Sequence, residues 1–212
     1  SPEITWWRSI ASNYNCALIS VQYSLQDNFT EFTREYGIKA FQDAVKDMYD
    51  AIEFIKNLGV NKIILGGFSA GGILAISTCY DITTVDKFSS IDTTNNSLIK
   101  LIIIAEGVFY TNSYIPGSEE DEYSFLDTIN TTSKIPIFMW HGINDQLMPH
   151  QYAINFANKL NELGIDNELY SIPNQSHGFA SVSNLFGIPD FGQSFKSNLI
   201  KFIDKHFDNL IE

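Results

Sequence analysis

A short glycine-rich run contains the serine whose surroundings best suit nucleophilic chemistry. The run GFSAG at residues 67–71 has the pattern G-x-S-x-G, between a predicted strand (62–66) and a predicted helix (70–80). On a sharp strand-to-helix turn this pattern exposes the serine hydroxyl, and we expect both glycines to avoid clashes as the turn closes. The first N–H groups of the new helix then face the reaction site. The pattern therefore predicts that Ser69 is a nucleophile.

A serine hydroxyl at neutral pH needs a neighbouring base, and the sequence offers four histidines. His177 lies in a polar loop just after the last predicted strand, which is where such a base is needed. The other three, His141, His150 and His206, are interpreted as structural, capping or surface residues. We therefore predict that His177 is the base.

The base in turn needs a carboxylate that holds its tautomer. Asp145 follows a predicted strand and precedes His177, which gives the chain order Ser, Asp, His of one class of hydrolases. Glu106, after the preceding strand, is the rival acid. The structural alternative for Asp145 is a residue that only closes an Asx-turn.

Composition limits the remaining possibilities. A chain of 212 residues with 44% hydrophobic residues suits one globular domain, and its net charge of −12 argues against nucleic acid or an anionic membrane as a partner. No apolar stretch has the roughly 18 residues of a membrane span, and no secretory signal opens the chain. Its location stays open between the cytoplasm, which we favour, and secretion. Cys16 and Cys79 are interpreted as core thiols, with a disulfide as the alternative.

Apolar residues recur alternately at strand and helix spacing, which is typical of an α/β fold with a mostly parallel sheet. We see no domain boundary, so residues 1–212 are interpreted as one domain. The predicted strands lie at 16–23, 62–66, 101–105, 135–140 and 168–172, and the predicted helices at 38–55, 70–80, 152–163 and 195–207.

These motifs resemble the α/β-hydrolase superfamily, in its esterase/lipase branch of carboxylesterases related to hormone-sensitive lipase and to acetyl and feruloyl carbohydrate esterases. GGFSAGG at 66–72 is similar to the nucleophile elbow, HGINDQLMP at 141–149 to the acid loop, and SHGF at 176–179 to the histidine loop. VQYSL at 21–25 resembles a strand end of that branch, with Gln22 and Ser24 as departures. The resemblance implies Ser69 as nucleophile, His177 as base and Asp145 as its partner.

One departure concerns the oxyanion hole. The resemblance implies a His-Gly-Gly loop and further strands upstream of residue 1, so this chain retains only the backbone N–H of Ala70 as a donor. In the sheet, one of these upstream strands would lie between the strand at 16–23 and the strand at 62–66. We therefore expect the sequence to be part of a longer protein. Its missing segment lies outside the given sequence, is cleaved off or is supplied by a partner chain; a natural short form is the alternative.

The resemblance implies a serine carboxylesterase that acts on a small-molecule ester through an acyl-enzyme, without metal or organic cofactor. The alternatives are a peptidase or amidase and a non-catalytic binding domain. The acid and histidine loops are shared with prolyl-oligopeptidase-like peptidases, which carry a large extra domain. Phe68, Phe109 and Phe179 are candidates for the substrate pocket.

Overall fold

The described part of the protein folds around four parallel strands in the order β1-β2-β3-β4, with helices on both faces. The predicted α/β class is confirmed. The computed structural model describes residues 2–24, 34–80, 97–107, 134–178 and 191–207. The strands are β1 (Ile63–Phe68), β2 (Ile99–Ala105), β3 (Ile137–Gly142) and β4 (Asn167–Ile172), and the helices are α1 (Pro2–Asn13), α2 (Arg34–Asn57), α3 (Ala70–Cys79), α4 (His150–Glu162) and α5 (Phe191–His206).

Alternate residues of the central strands build two cores, because successive side chains of a strand point to opposite faces. In β2, Ile102 and Ile104 pack with α2, α3 and α4, whereas Leu101 and Ile103 pack on the opposite face with α5. All four side chains are at most 1% exposed. Burial on both faces explains why these strands read as continuous apolar runs.

The register of the strands brings their carboxyl ends to one edge of the sheet. Phe68 pairs with Ala105, Ala105 with Trp140, and Gly142 with Ile172. Chain segments that leave these strands therefore start side by side. This edge is where an open α/β sheet places its ligands.

The strand predicted at 16–23 is not formed among the described residues, and it does not pair directly with β1. Within the described residues this segment pairs with no strand, and β1 forms one end of the sheet order. Val21 and Tyr23 pack against the core, but Leu18 and Ile19 are 45% and 50% exposed. A strand requires a neighbour for its backbone groups, and the apolar alternation alone does not supply one.

Helix α1 is absent from the sequence-based prediction. It begins at Pro2, a residue that suits the first helical position. Trp7 and Ile10 pack against the core that also contains α5. Cys16 and Cys79 are thiols, as predicted, and only Cys79 is fully buried. Among the described residues, no helix combines the length and apolarity required to cross a membrane.

The two glycines of the turn after β1 differ in their surroundings. A Cβ on Gly67 would lie 2.1 Å from the backbone of Gly71, so the expectation of a clash holds there. A Cβ on Gly71 would meet nothing within 4 Å, so that half of the expectation is wrong. The second tight contact instead joins Gly72 to Gly107, where a Cβ on Gly72 would lie 2.8 Å from the Gly107 Cα.

This contrast gives a matched pair of substitutions. We expect Gly67→Ala to lower the free energy of unfolding by about 1–3 kcal/mol or more, since backbone must move to admit the methyl group. Gly71→Ala, in open space within α3, is expected to raise it by about 0.5–1 kcal/mol. Urea denaturation of both variants measures this. Equal effects of the two substitutions would contradict the packing described for this turn.

Candidate active site

Ser69 lies on a strained turn between β1 and α3. Its backbone has φ 51° and ψ −120°, a conformation that costs a non-glycine residue about 1–3 kcal/mol. The turn is held because the Ser69 N–H donates to the Ala105 carbonyl over 2.8 Å, and the Ser69 carbonyl accepts from Gly72 over 2.9 Å. Strain that surrounding bonds maintain is typical of a nucleophile elbow.

The serine hydroxyl faces the histidine that the sequence singled out. The distance from Ser69 Oγ to His177 Nε2 is 3.0 Å. The Phe68 ring lies beside the His177 ring, with centroids 5.7 Å apart and planes tilted by 31°. The structure therefore brings the two residues to hydrogen-bond distance although 108 positions separate them in the chain.

Asp145 lies on the other side of the same imidazole. Its Oδ2 is 2.8 Å from His177 Nδ1, while its Oδ1 accepts the backbone N–H groups of Leu147 and Met148 over 2.9 and 2.8 Å. Asp145 therefore closes a turn, as the Asx-turn alternative expected, and it also contacts His177. An acceptor-only carboxylate places a proton on Nδ1 and leaves Nε2 to accept from Ser69.

Backbone contacts hold the acid loop and the histidine loop together. The Asn144 N–H donates to the Gln175 carbonyl over 2.8 Å, and the Ile143 N–H donates to Ile172 over 3.0 Å. A Cβ on Gly142 would lie 2.5 Å from the Gln175 oxygen. Gly142 therefore permits the close approach that carries His177 to Asp145.

Glu106 is a second buried carboxylate beside the histidine. It follows β2 with φ 48° and is 1% exposed. Its Oε2 accepts the Gly178 N–H over 2.8 Å and lies 3.9 Å from His177 Nδ1. Burial raises the pKa of Glu106, against the opposing effect of the Gly178 N–H and of His177. The rival acid is thus present at the site, but farther from the ring than Asp145.

Two further residues of the site were not assigned to it from the sequence. His141 Nε2 lies 2.7 Å from the Met148 carbonyl and 3.0 Å from Asp145 Oδ2, and Met148 Sδ lies 4.0 Å from Ser69 Oγ. The motif H-G-x-x-D contains His141, so a signal existed. Met148 has no such signal, because its role depends on how the turn folds.

Three side chains of the site could in principle hold a metal. One ligand atom from each of Glu106, Asp145 and His177 lies within 4.8 Å of the others. However, Asp145 already accepts N–H groups at both oxygens. The geometry therefore fits a chain of hydrogen bonds better than a metal site.

Other predicted residues lie away from this chemistry or outside the described ranges. His150 Nε2 is 2.8 Å from Ser171 Oγ, and His206 pairs with Asp166, so neither contacts Ser69. Phe68 is 43% exposed beside the site. Phe109 and Phe179, the remaining pocket candidates, lie outside the described residues. Ala70 is the first residue of α3, where a backbone N–H has no acceptor within the helix.

The chain is similar to a family of peptidases and to particular thioesterases and esterases. Residues 26–209 match the prolyl oligopeptidase family. Acyl-protein thioesterase 1 of Aspergillus fumigatus is 25% identical over 138 residues, covering 65% of this chain and 47% of the relative. Esterase 2 of Thermogutta terrifontis, phosphorylated by paraoxon, is 26% identical with a TM-score of 0.59, over 78% of this chain and 64% of that one.

A more distant structure supports the fold alone. The acetyl ester-xyloside bifunctional hydrolase of Caldicellulosiruptor lactoaceticus is 20% identical with a TM-score of 0.56, over 77% of this chain and 65% of that one. The chain spans about half the length of the thioesterases that it matches.

The superfamily resemblance is therefore confirmed, and the family match extends over most of the sequence. The matched family is the prolyl oligopeptidase family, whose acid-loop and histidine-loop patterns this sequence shares. This chain belongs to the prolyl oligopeptidase family of α/β-hydrolases.

Proposed function

We propose that this chain carries the catalytic site of a serine hydrolase that cleaves a small carboxylic ester through an acyl-enzyme. The observation that carries the proposal is the chain of contacts from Ser69 Oγ to His177 Nε2 at 3.0 Å and from His177 Nδ1 to Asp145 Oδ2 at 2.8 Å. The hydrolases to which the chain is similar support the same reaction class.

The acylation step follows from this geometry. Ser69 Oγ forms a bond to the ester carbonyl carbon while His177 Nε2 accepts the hydroxyl proton. Asp145 keeps the other ring nitrogen protonated and stabilises the imidazolium. The carbonyl oxygen takes up negative charge and is placed to accept the Ala70 N–H. His177 then gives its proton to the leaving alcohol as the carbon–oxygen bond breaks.

Deacylation repeats these steps with water. His177 removes a proton from the water, whose oxygen attacks the acyl carbon, and the proton returns to Ser69 Oγ as the acid leaves. The reaction is balanced by the substrate ester and water alone. The exposed Phe68 ring forms an apolar wall beside the histidine and suits an apolar part of the ester.

The family match favours a second candidate, a peptidase or amidase on the same residues. Both reactions use the same serine and differ in the leaving group. Purified protein tested on p-nitrophenyl acetate, an acyl thioester and a prolyl amide separates them. Ester cleavage without amide cleavage supports the main proposal, and the reverse result supports the second candidate.

Loss of the nucleophile should abolish reaction while the fold persists. We expect Ser69→Ala to lose labelling by a fluorophosphonate probe, because only an activated serine hydroxyl reacts quickly. Intensity of the labelled band measures this, with circular dichroism to establish folding. Wild-type protein that takes up no probe would instead support a non-catalytic binding domain.

The two carboxylates should differ in their effect. Asp145→Asn is expected to lower the labelling rate by about 10⁴-fold, since an amide favours the wrong imidazole tautomer. Glu106→Gln keeps an oxygen for the Gly178 N–H and should cost far less. A severe loss in Glu106→Gln together with a nearly normal Asp145→Asn would mean that Glu106 is the acid.

The labelling rate should depend on pH in the direction set by the base. His177 accepts the serine proton only when neutral, so we expect the rate to rise with pH over the acid side of its profile. Single-turnover labelling at a series of pH values measures this. A rate that stays flat from pH 5 to pH 9 would argue against His177 as the base.

A further inference from the structure

The His141 side chain lies inside the candidate active site, next to Asp145 and Met148. It is 1% exposed near the end of β3, and its Nε2 lies 2.7 Å from the Met148 carbonyl and 3.0 Å from Asp145 Oδ2. A carbonyl oxygen can only accept, so Nε2 must carry a proton. The proton-bearing nitrogen of His141 therefore faces both the acid and the turn that follows it.

The other ring nitrogen indicates the charge of His141. Within the described ranges, the buried Nδ1 of His141 has no hydrogen-bond partner, so a second proton would find no acceptor there. Burial lowers the pKa of His141, more strongly than the Met148 carbonyl and Asp145 raise it. The ring is thus neutral at neutral pH and presents an N–H dipole to Asp145 instead of a full positive charge.

Asp145 Oδ2 consequently lies between two imidazoles. His177 Nδ1 is 2.8 Å from this oxygen and His141 Nε2 is 3.0 Å from it. Oδ1 already accepts two backbone N–H groups, from Leu147 and Met148. The carboxylate is fixed in orientation because both oxygens are held, and His141 shares the oxygen that holds the base.

The same histidine also restrains a neighbour of the nucleophile. The Met148 carbonyl accepts from His141, the Met148 N–H donates to Asp145, and Met148 Sδ lies 4.0 Å from Ser69 Oγ. Met148 is fully buried and packs in the core that contains α3 and α4. His141 therefore links the acid turn to the wall that contacts the serine.

We propose that His141 is a positioning residue of this hydrolase: its Nε2–H holds the Asp145 carboxylate and the Met148 backbone, and it sets how strongly Asp145 stabilises protonated His177. The proposal rests on the proposed roles of Ser69, His177 and Asp145.

A consequence for pH dependence follows. Among the described residues, the charged or titratable groups that face His177 are Asp145 at 2.8 Å and Glu106 at 3.9 Å, with His141 behind Asp145. Without the His141 N–H, more of the negative charge of Oδ2 acts on the His177 ring. The protonated ring is then stabilised, so His177 should become neutral only at higher pH.

Three substitutions at one position separate the N–H group from the bulk of the ring. His141→Leu removes the donor, His141→Gln places an amide N–H near the position of Nε2, and His141→Asn places its amide near Nδ1. His150→Gln is the matched control. The His150 ring lies 5.8 Å from that of His141, but its hydrogen-bond partner is Ser171 and not Asp145. The control should leave the pH profile unchanged.

The test is the rate of fluorophosphonate labelling from pH 5 to pH 9 in each variant. For His141→Leu and His141→Asn we expect the midpoint of the acid limb to rise by about half a pH unit to one unit. The plateau rate should fall by about 10- to 100-fold as the acid turn loosens. His141→Gln should stay near the wild-type midpoint.

The outcomes are distinct. A raised midpoint in the leucine or asparagine variant with rescue by glutamine supports the proposal. An unchanged midpoint in folded variants, with only a lower melting temperature, overturns it and leaves His141 a core residue. If His141→Leu does not fold, the comparison of glutamine with asparagine decides in the same way.

Failure of the proposed function is recognised separately. Wild-type protein that is not labelled, or is labelled equally after Ser69→Ala, refutes the proposed function. In that case the midpoint of the His177 ring-proton titration, followed by NMR in the same variants, still tests the positioning role. Identical His177 midpoints in all variants would overturn it.

Discussion

The site depends on one carboxylate that is held from every side. Asp145 accepts two backbone N–H groups of its own turn at Oδ1, and its Oδ2 lies within 3.0 Å of two imidazole nitrogens. A buried carboxylate is costly unless its lone pairs are satisfied. Here the groups that satisfy it are also the ones that must be positioned. The orientation of His177 and the path of the 142–148 turn are thereby fixed together, and Ser69 contributes one further contact to the same chain of residues.

The backbone around this carboxylate is strained or crowded where the strands end. Ser69 and Glu106 both have positive φ, and Gly72 lies against Gly107 with no room for a Cβ. Such conformations persist only where surrounding structure determines them. The four parallel strands supply that structure, because their ladder bonds and the two buried cores leave the exit of each strand with little freedom. A sheet whose strands ended at different levels would not bring these residues together.

The sequence predicted the features that depend on local pattern. The serine turn, the acid loop and the histidine loop each follow an apolar strand, and parallel strands bring such loops to one edge. Features that depend on a partner were not predictable in this way. The segment at 16–23 has the alternation of a strand but no neighbour to pair with among the described residues, and Met148 comes into contact with Ser69, 79 positions away, only through the way its turn folds. The open space around Gly71 likewise depends on packing.

The two buried carboxylates beside the His177 imidazole differ in the donors that hold them. Glu106 has an oxygen, Oε1, without a hydrogen-bond partner in the described part of the chain, and burial raises its pKa. Asp145 has donors at both oxygens. Two full negative charges this close to each other would repel, and this repulsion adds to the effect of burial in raising the pKa of Glu106. The difference in donors therefore favours Asp145 as the acceptor that holds His177 and Glu106 as the group that anchors the Gly178 backbone behind it.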